Sequence, residues 1–279
     1  MRLASYRFDD RVRVGIVGDD GATIADSRHA GPLVDFFDPA ARPRLVAAAA
    51  AAQKLDPARL TAPIPLPPAF LGVGLNYRDH AREVGRELGP SPAVFAKLAG
   101  AVAPPYGTIV RPPWSGSLDY EGELGIVVGR RCHQIAAGDA PAFIAGYVVV
   151  NDVTMRELAR PGTLVLGKSG PGHGPFGPWL TTADAVADPH ALAIRTWVNG
   201  ELRQSSTTAE LHVGCFELLA WLSSILVLEP GTVIATGSPA GSGAGFTPPR
   251  WLVPGDVVRV AIDGLGFIEH RVVAEAPGL

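Results

Sequence analysis

Glycine and proline interrupt this chain so often that it has little room for long helices. Its 279 residues include 33 glycines and 26 prolines, and from Ala69 onwards these residues separate one short apolar segment from the next. Such punctuation predicts many short strands joined by tight turns. Because 47% of the residues are hydrophobic, the composition fits a folded core and excludes a disordered or collagen-like chain.

The apolar segments predict strands at residues 70–73, 121–128, 143–150, 191–198, 232–236, 256–262 and 267–273. Alternating apolar residues around Asp9 and Asp10 predict a hairpin of residues 2–8 and 11–17. Helices are predicted at residues 41–55, which are rich in alanine, and at residues 209–226, which are amphipathic. Many short strands and few helices favour a mixed, β-rich α+β fold, closed or rolled rather than doubly wound.

Four prolines between residues 63 and 68 predict a stiff, extended connector. We therefore expect a small N-terminal α/β domain at residues 1–68 and a larger domain at residues 69–279. The first segment contains no dense cluster of polar side chains. We therefore expect the chemistry of this protein to reside in the larger domain.

Charge and cysteine content exclude several classes of function. Lys and Arg number 24, Asp and Glu number 27, and this near-balance argues against a nucleic-acid-binding surface. Cys132 and Cys215 form no C-x-x-C motif, so a thiolate zinc site is not expected. The chain begins without an apolar signal segment, and its apolar stretches are too short to cross a bilayer. We therefore expect a cytoplasmic protein without membrane or nucleic-acid partners.

Three carboxylates stand at the ends of two predicted strands. Glu121 and Glu123 are two residues apart, so they share one face of a strand, and Asp152 follows another apolar run. Neighbouring carboxylates repel each other when buried, and a hard divalent cation would relieve that cost. The alternative is a solvated strand end with Asp152 capping a turn.

A histidine and two lysines have the spacing or setting of catalytic groups. His80 and Glu83 are three residues apart at a predicted helix start, and a carboxylate beside an imidazole can orient it as a general base. A solvated pair is the alternative. Only three of the 24 cationic residues are lysines, and Lys97 and Lys168 lie in weakly polar surroundings. Such positions favour a compact ammonium group, with chance as the alternative.

Taken in order, these motifs resemble those of the fumarylacetoacetate hydrolase family. The matching segments are Gly-Leu-Asn76-Tyr77-x-x-His80-x-x-Glu83, Phe-x-Lys97, Asp-Tyr-Glu121-x-Glu123-Leu, Asn-Asp152-Val, Leu-Gly-Lys168-Ser and Thr236-Gly237-Ser-Pro-Ala-Gly. The resemblance extends from about residue 69 to the end of the chain. It is greatest to the branch of acylpyruvate hydrolases and 2-hydroxyhepta-2,4-diene-1,7-dioate isomerases.

The resemblance implies a β-roll catalytic domain and a homodimer. It implies Mg²⁺ or Mn²⁺, with Ca²⁺ as a further option, held by Glu121, Glu123 and Asp152. It implies catalytic roles for His80, Glu83 and Lys168. The substrate pocket that it implies includes Asn76, Tyr77, Lys97, Thr236 and Gly237.

The activity implied by the resemblance is metal-dependent hydrolysis of a carbon–carbon bond in an acylpyruvate-like 1,3-dicarbonyl 2-oxo acid, through a metal-bound enolate. His80, oriented by Glu83, would activate water, and Lys168 would offset the developing negative charge. The same scaffold could instead serve a 2-oxo acid decarboxylase or a dienol isomerase. A homologue that binds such ligands without catalysis is a further alternative.

Two segments depart from the family pattern. Residues 170–175 replace the usual Phe-Asp-x-x-x-Pro, so Pro171 stands where an acidic residue is common. Residues 154–157 read Thr-Met-Arg-Glu where Ser-Ala-Arg-Asp is common. Because these segments adjoin Lys168 and Asp152, we expect an altered substrate pocket around conserved chemistry.

Overall fold

Strands dominate the structure, a computed structural model that describes residues 1–276. Within this range, a mixed sheet of eleven strands and a second sheet of five strands form the framework, and a two-stranded pair accompanies them. The mixed, β-rich fold class predicted from the glycine and proline punctuation is confirmed.

The strands are β1 (Arg2–Phe8), β2 (Arg11–Val17), β3 (Thr23–Asp26), β4 (Gln53–Lys54), β5 (Phe70–Gly74), β6 (Ala93–Ala96), β7 (Val102–Ala103), β8 (Thr108–Arg111), β9 (Leu118–Asp119), β10 (Gly122–Val128), β11 (Ile144–Asn151), β12 (Thr154–Met155), β13 (Gly174–Thr182), β14 (Ala193–Val198), β15 (Glu201–Thr207), β16 (Val233–Ala235), β17 (Val257–Ile262) and β18 (Gly266–Ala274). The α-helices are α1 (Arg42–Ala48), α2 (Arg78–Glu83), α3 (Leu164–Gly167) and α4 (Cys215–Ile225). The large sheet has the order β4-β3-β2-β1-β13-β11-β10-β16-β5-β6, with β7 paired to β13. The smaller sheet has the order β15-β14-β17-β18-β8.

The N-terminal strands continue the large sheet. β1 and β2 form the predicted hairpin, and Asp9 takes the positive φ of 51° that its turn requires. β1 also pairs with β13 through Arg2 opposite Thr181 and Leu3 opposite Leu180. Backbone hydrogen bonds therefore link the first strands to the segment after residue 68.

Both predicted helices are shorter in the structure. The helix expected at residues 41–55 ends at Ala48, because Ala49 adopts an extended backbone (φ −64°, ψ 136°) and Gln53 then pairs with β3. The helix expected at residues 209–226 begins only at Cys215, since Leu211 forms a β-bridge with Tyr77. In both cases backbone pairing with a distant segment overrides the local preference for helix.

Helix α4 and the two sheets share one apolar core. Leu218 and Leu222 of α4 belong to a buried cluster that also contains Leu124 of β10 and Val260 of β17. Because β10 and β17 lie in different sheets, this cluster joins them. Within residues 1–276, no helix has the length and apolar character needed to span a lipid bilayer.

The pairing of β10 with β11 brings three predicted ligands to one place. Gly122 lies opposite Asn151, so Glu121 and Asp152 are the next residues outward at the same end of the pair. The Asp152 N–H donates to the Glu121 carbonyl oxygen at 2.8 Å. Glu123 lies on the same strand face as Glu121, because side chains two residues apart point the same way.

Candidate active site

Three buried carboxylates form a cluster at this end of β10 and β11. One oxygen from each of Glu121, Glu123 and Asp152 lies within 4.8 Å of the other two. None of the three residues is more than 6% exposed. The structure therefore brings the three sequence-predicted ligands together, away from bulk water.

Two ammonium groups neutralise part of this cluster. The Lys97 Nζ donates to Asp152 Oδ1 at 2.5 Å, and the Lys168 Nζ donates to Asp152 and to Glu121. The Lys168 Nζ also lies 4.8 Å from the centre of the Phe95 ring, within range of a cation–π interaction. Two of the chain's three lysines thus meet at one carboxylate.

The cluster divides its charge unevenly. Burial alone would raise the pKa of Glu121, but Arg156 and Lys168 outweigh it and hold that pKa well below its usual range. Burial, reinforced by Asp152 and Glu121, raises the pKa of Glu123 well above its usual range. Glu123 is therefore the carboxylate whose negative charge is least compensated by its surroundings.

The donor set and its charge fit a divalent cation. Three carboxylates face two lysines, and the charge of Arg156 beside Glu121 is balanced by Asp119, which leaves one negative charge in a buried cluster. A divalent cation would turn this into one positive charge, which an anionic ligand could then neutralise. The ligand atoms are all carboxylate oxygens, so Mg²⁺ and Mn²⁺ suit them better than a thiophilic metal.

Sequence reasoning missed two charged residues beside the cluster. Arg156 donates from Nη2 to Glu121 Oε1 at 2.7 Å and from Nε to Asp119 Oδ2 at 2.8 Å. Asp119 is fully buried and also accepts the N–H groups of Gly243 and Ala244. The available signal was a further carboxylate two residues before Glu121, within a motif already recognised.

The predicted acid–base pair forms in helix α2. His80 Nδ1 and Glu83 Oε2 lie 2.9 Å apart, and we assign the proton to Nδ1 because the carboxylate accepts it there. Nε2 is then the imidazole nitrogen left for a substrate. Glu83 Oε1 also accepts the N–H of Gly241 at 2.9 Å. The two side chains are 14% and 20% exposed, so the pair lies nearer to solvent than the carboxylates.

The residues predicted for the substrate pocket lie around the cluster. The Gly237 N–H donates to Glu123 Oε2 at 2.8 Å. Asn76 donates from Nδ2 to the Thr236 carbonyl at 2.9 Å, and the Thr236 hydroxyl donates to a carbonyl of β10 at 3.0 Å. Tyr77 is buried, and its hydroxyl has no hydrogen-bond partner within residues 1–276. Contact of these residues with a substrate stays a prediction.

Comparison with known proteins connects this site to a family. The family model described as fumarylacetoacetate (FAA) hydrolase, C-terminal, matches residues 69–273. This chain belongs to the fumarylacetoacetate hydrolase family. The membership predicted from the sequence motifs is therefore confirmed. Members of this family are enzymes that act on carbon–carbon bonds.

Individual relatives in the fumarylacetoacetate hydrolase family carry different activities in their names. The mitochondrial oxaloacetate tautomerase FAHD2B of Bos taurus is 43% identical over 215 residues, which are 76% of this chain and 68% of the relative. The solved fumarylacetoacetate hydrolase of Exiguobacterium antarcticum is 34% identical, with a TM-score of 0.85 over 99% of this chain and 100% of that one. The maleylpyruvate hydrolase of Sphingobium sp. SYK-6, solved with manganese(II) and pyruvate, is 30% identical, with a TM-score of 0.83 and the same coverage.

Proposed function

We propose that this protein is a divalent-metal-dependent enzyme that interconverts the keto and enol forms of a short 2-oxo acid such as oxaloacetate. The proposal rests on one observation. The glycine-rich loop of residues 236–245 bonds both Glu123 of the carboxylate cluster and Glu83 of the acid–base pair, so the two parts of the site adjoin. The Bos taurus relative named as an oxaloacetate tautomerase supports this choice of reaction.

Mg²⁺ or Mn²⁺ is the cation proposed for Glu121, Glu123 and Asp152. When bound, it would act as a Lewis acid and stabilise negative charge on a 2-oxo acid substrate. Two observations support it: the closely spaced carboxylate oxygens of this chain, and the manganese(II) and pyruvate in the Sphingobium relative.

His80 is proposed to move the proton. Because Glu83 fixes Nδ1, the Nε2 atom takes a proton from the carbon next to the keto group. A proton is then delivered to the oxygen that was the keto oxygen, so the net change is the shift of one proton. Glu83 stabilises the imidazolium that forms between these two steps.

Lys168 and Lys97 are proposed to stabilise the negative charge of the substrate. Both ammonium groups are buried, and their bonds to Asp152 fix their positions. Positive charge that is already oriented in a water-poor site favours a developing enolate without a cost of reorganisation. Lys97 thus remains a substrate-binding candidate, and Lys168 a catalytic one.

Hydrolysis of a carbon–carbon bond in an acylpyruvate is the second candidate. The pair of His80 and Glu83 favours it, because the same imidazole can activate water. Water would add to the distal carbonyl, the carbon–carbon bond would break, and its electron pair would leave with the pyruvate fragment as an enolate. Protonation at carbon would then give pyruvate and a carboxylic acid.

The two candidates differ in their products. The purified protein would be given Mn²⁺ and either the enol form of oxaloacetate or acetylpyruvate, with enol absorbance, acetate, pyruvate and CO₂ followed separately. We expect rapid loss of enol absorbance without CO₂ release. Replacing His80 by glutamine (H80Q) should lower this rate by about 10²- to 10⁴-fold and leave Mn²⁺ binding intact.

A matched control replaces a histidine outside the proposed machinery. Among residues 1–276, the His212 side chain bonds only the Gly89 carbonyl, so H212Q should retain the wild-type rate. Full turnover by H80Q would refute the proton-transfer role. Faster production of acetate and pyruvate than of ketone would favour hydrolysis, and CO₂ release would favour decarboxylation. Tight binding of oxalate without turnover of any 2-oxo acid would indicate a ligand-binding protein instead.

A homodimer and a cytoplasmic location belong to the same proposal. The homodimer is implied by the sequence resemblance. Sedimentation at several protein concentrations tests the first, and microscopy of a tagged chain in its own cells tests the second.

A further inference from the structure

Asp119 receives hydrogen bonds from two separate parts of the chain. Its Oδ1 accepts the Gly243 N–H at 2.7 Å, and its Oδ2 accepts the Ala244 N–H at 3.0 Å. The same Oδ2 accepts from Arg156 Nε at 2.8 Å and forms an ion pair with Arg156 Nη2 at 2.7 Å. Asp119 is fully buried, so this carboxylate is satisfied by protein groups rather than by bulk water.

Arg156 extends this arrangement to the carboxylate cluster. The nitrogen Nη2 that contacts Asp119 also donates to Glu121 Oε1 at 2.7 Å. A planar guanidinium held on one edge by one carboxylate presents its remaining N–H groups in a fixed direction. The orientation of Glu121 therefore depends on where Asp119 holds Arg156.

The loop that bonds Asp119 also reaches the other two parts of the site. Gly237 in this loop donates to Glu123, and Gly241 donates to Glu83. A Cβ atom at Gly243 would lie 2.6 Å from Asp119 Oδ1, so the loop approaches that carboxylate as closely as a residue without a side chain allows. Asp119 thus anchors a loop that contacts the cluster and the acid–base pair.

We infer that Asp119 is a positioning residue, which orients Glu121 through Arg156 for metal binding while anchoring the loop that holds Glu83. The inference rests on the proposed metal site. It assigns to Asp119 a task separate from metal ligation, since its two oxygens are already occupied by N–H donors. Partners of this kind set the geometry of metal ligands.

Asp119→Asn tests the inference with little change of shape. Oδ1 accepts two backbone N–H groups, those of Gly243 and Tyr120, whereas Oδ2 accepts one backbone N–H group and Arg156. Because the Arg156 side chain moves more easily than a backbone group, we expect the amide group of asparagine to take the place of Oδ2, so that Arg156 leaves residue 119 and Glu121 is disturbed. Mn²⁺ affinity, measured by calorimetry on the full chain, should fall about 10- to 100-fold.

Two further variants separate this effect from general damage. Asp256→Asn changes a carboxylate that also accepts a backbone N–H and a side-chain N–H, but its donors, Val253 and Asn199, do not bond the cluster, so Mn²⁺ affinity should be unchanged. Arg156→Lys leaves the bonds from the loop to Asp119 in place but loses the planar fork, and it should weaken Mn²⁺ binding to a similar degree. The variant that combines Asp119→Asn with Arg156→Lys should bind Mn²⁺ with about the affinity of whichever single variant binds less tightly. The two losses should not add, because both changes act through one contact.

The outcomes distinguish this inference from the proposed function. Wild-type protein that fails to bind Mn²⁺ overturns the metal site, and the inference falls with it. Wild-type binding together with unchanged affinity in a folded Asp119→Asn variant overturns the inference alone. If Asp119→Asn does not fold by circular dichroism, Arg156→Lys decides: wild-type affinity in that variant refutes the role of Arg156, and weakened binding supports it.

Discussion

Lysine is scarce in this chain, and two of its three lysines, Lys97 and Lys168, are buried in the site. A compact ammonium group fits between the carboxylates of Glu121 and Asp152 with Phe95 beside it, where a planar guanidinium would require more space. The scarcity of lysine was visible in the sequence. The reason for a lysine at position 168, an ammonium group enclosed by two carboxylates and an aromatic ring, became visible only in the structure.

Lys168→Arg should therefore be harmful although it keeps the charge. We expect turnover to fall about 10- to 100-fold, because Lys168 contacts two proposed metal ligands, and stability to fall by about 1–3 kcal/mol from overpacking. Steady-state kinetics and thermal unfolding measure the two effects. Lys54→Arg, on the exposed strand β4, is the matched control and should change neither. Wild-type turnover in Lys168→Arg would show that charge alone suffices.

The residues of the carboxylate cluster and the acid–base pair could be predicted, but the contact of Asp119 with Arg156 beside them could not. The three carboxylates, the acid–base pair and both lysines follow from motif spacing, and the structure brings them together. The link from Asp119 to Arg156 spans 37 positions in the chain. Pattern and propensity report on neighbours along the chain, so a contact between distant side chains leaves no trace in them.

At the scale of elements, most predicted strands match the observed ones to within two residues, because apolar runs bounded by turn residues are a reliable indication. The strand β13 was not predicted, although it lies in the middle of the large sheet. Its sequence, Gly-Pro-Phe-Gly-Pro-Trp-Leu-Thr-Thr, contains four residues that ordinarily indicate a turn. The same rule that found the predicted strands concealed this one.

Gly245 of the glycine-rich loop allows a test of the contact between this loop and the acid–base pair. A Cβ atom there would lie 2.4 Å from the Glu83 carboxyl group. Because that carboxyl group ends a flexible side chain, Glu83 rather than the loop must move in Gly245→Ala. Misplacing the partner of His80 should lower kcat by up to about 100-fold, while Mn²⁺ affinity stays at the wild-type level.

Gly138→Ala is the control for that substitution, because a Cβ atom at Gly138 meets nothing within 4 Å. Kinetics and calorimetry on the same preparations give both readouts. An unchanged kcat in Gly245→Ala would mean that the contact between Glu83 and the loop is dispensable. An equal loss of Mn²⁺ affinity would mean that the loop acts on the carboxylate cluster instead.

At the scale of the whole molecule, two buried histidines help to hold the sheets together. The segment between β7 and β8 passes from the large sheet to the smaller one. His270 of β18 donates from Nε2 to the Pro104 carbonyl at 3.0 Å, and His173 donates from Nε2 to the Val110 carbonyl at 2.8 Å. Burial lowers the pKa of each imidazole to about 4, so both remain neutral in the folded protein at neutral pH.

This arrangement predicts a loss of stability in mild acid. Below about pH 6.5 the unfolded chain protonates His270, whereas the folded chain does so only near pH 4, so acid favours unfolding across that interval. At pH 5 the cost is about 2 kcal/mol for this group. In His270→Gln, the loss of unfolding free energy between about pH 7 and pH 5, from urea titrations, should be smaller by that amount. An equal slope in His270→Gln would contradict the prediction.

The seam between β1 and β13 lies two strands from Asp152, and the backbone makes it. Hydrogen bonds of this kind do not depend on the identity of the side chains, but Leu3 and Tyr6 of β1 are buried in the core, so only the exposed positions of the opening segment are free to vary. A loss of the whole segment would leave β13 with an unpaired edge, which is prone to pair with other chains.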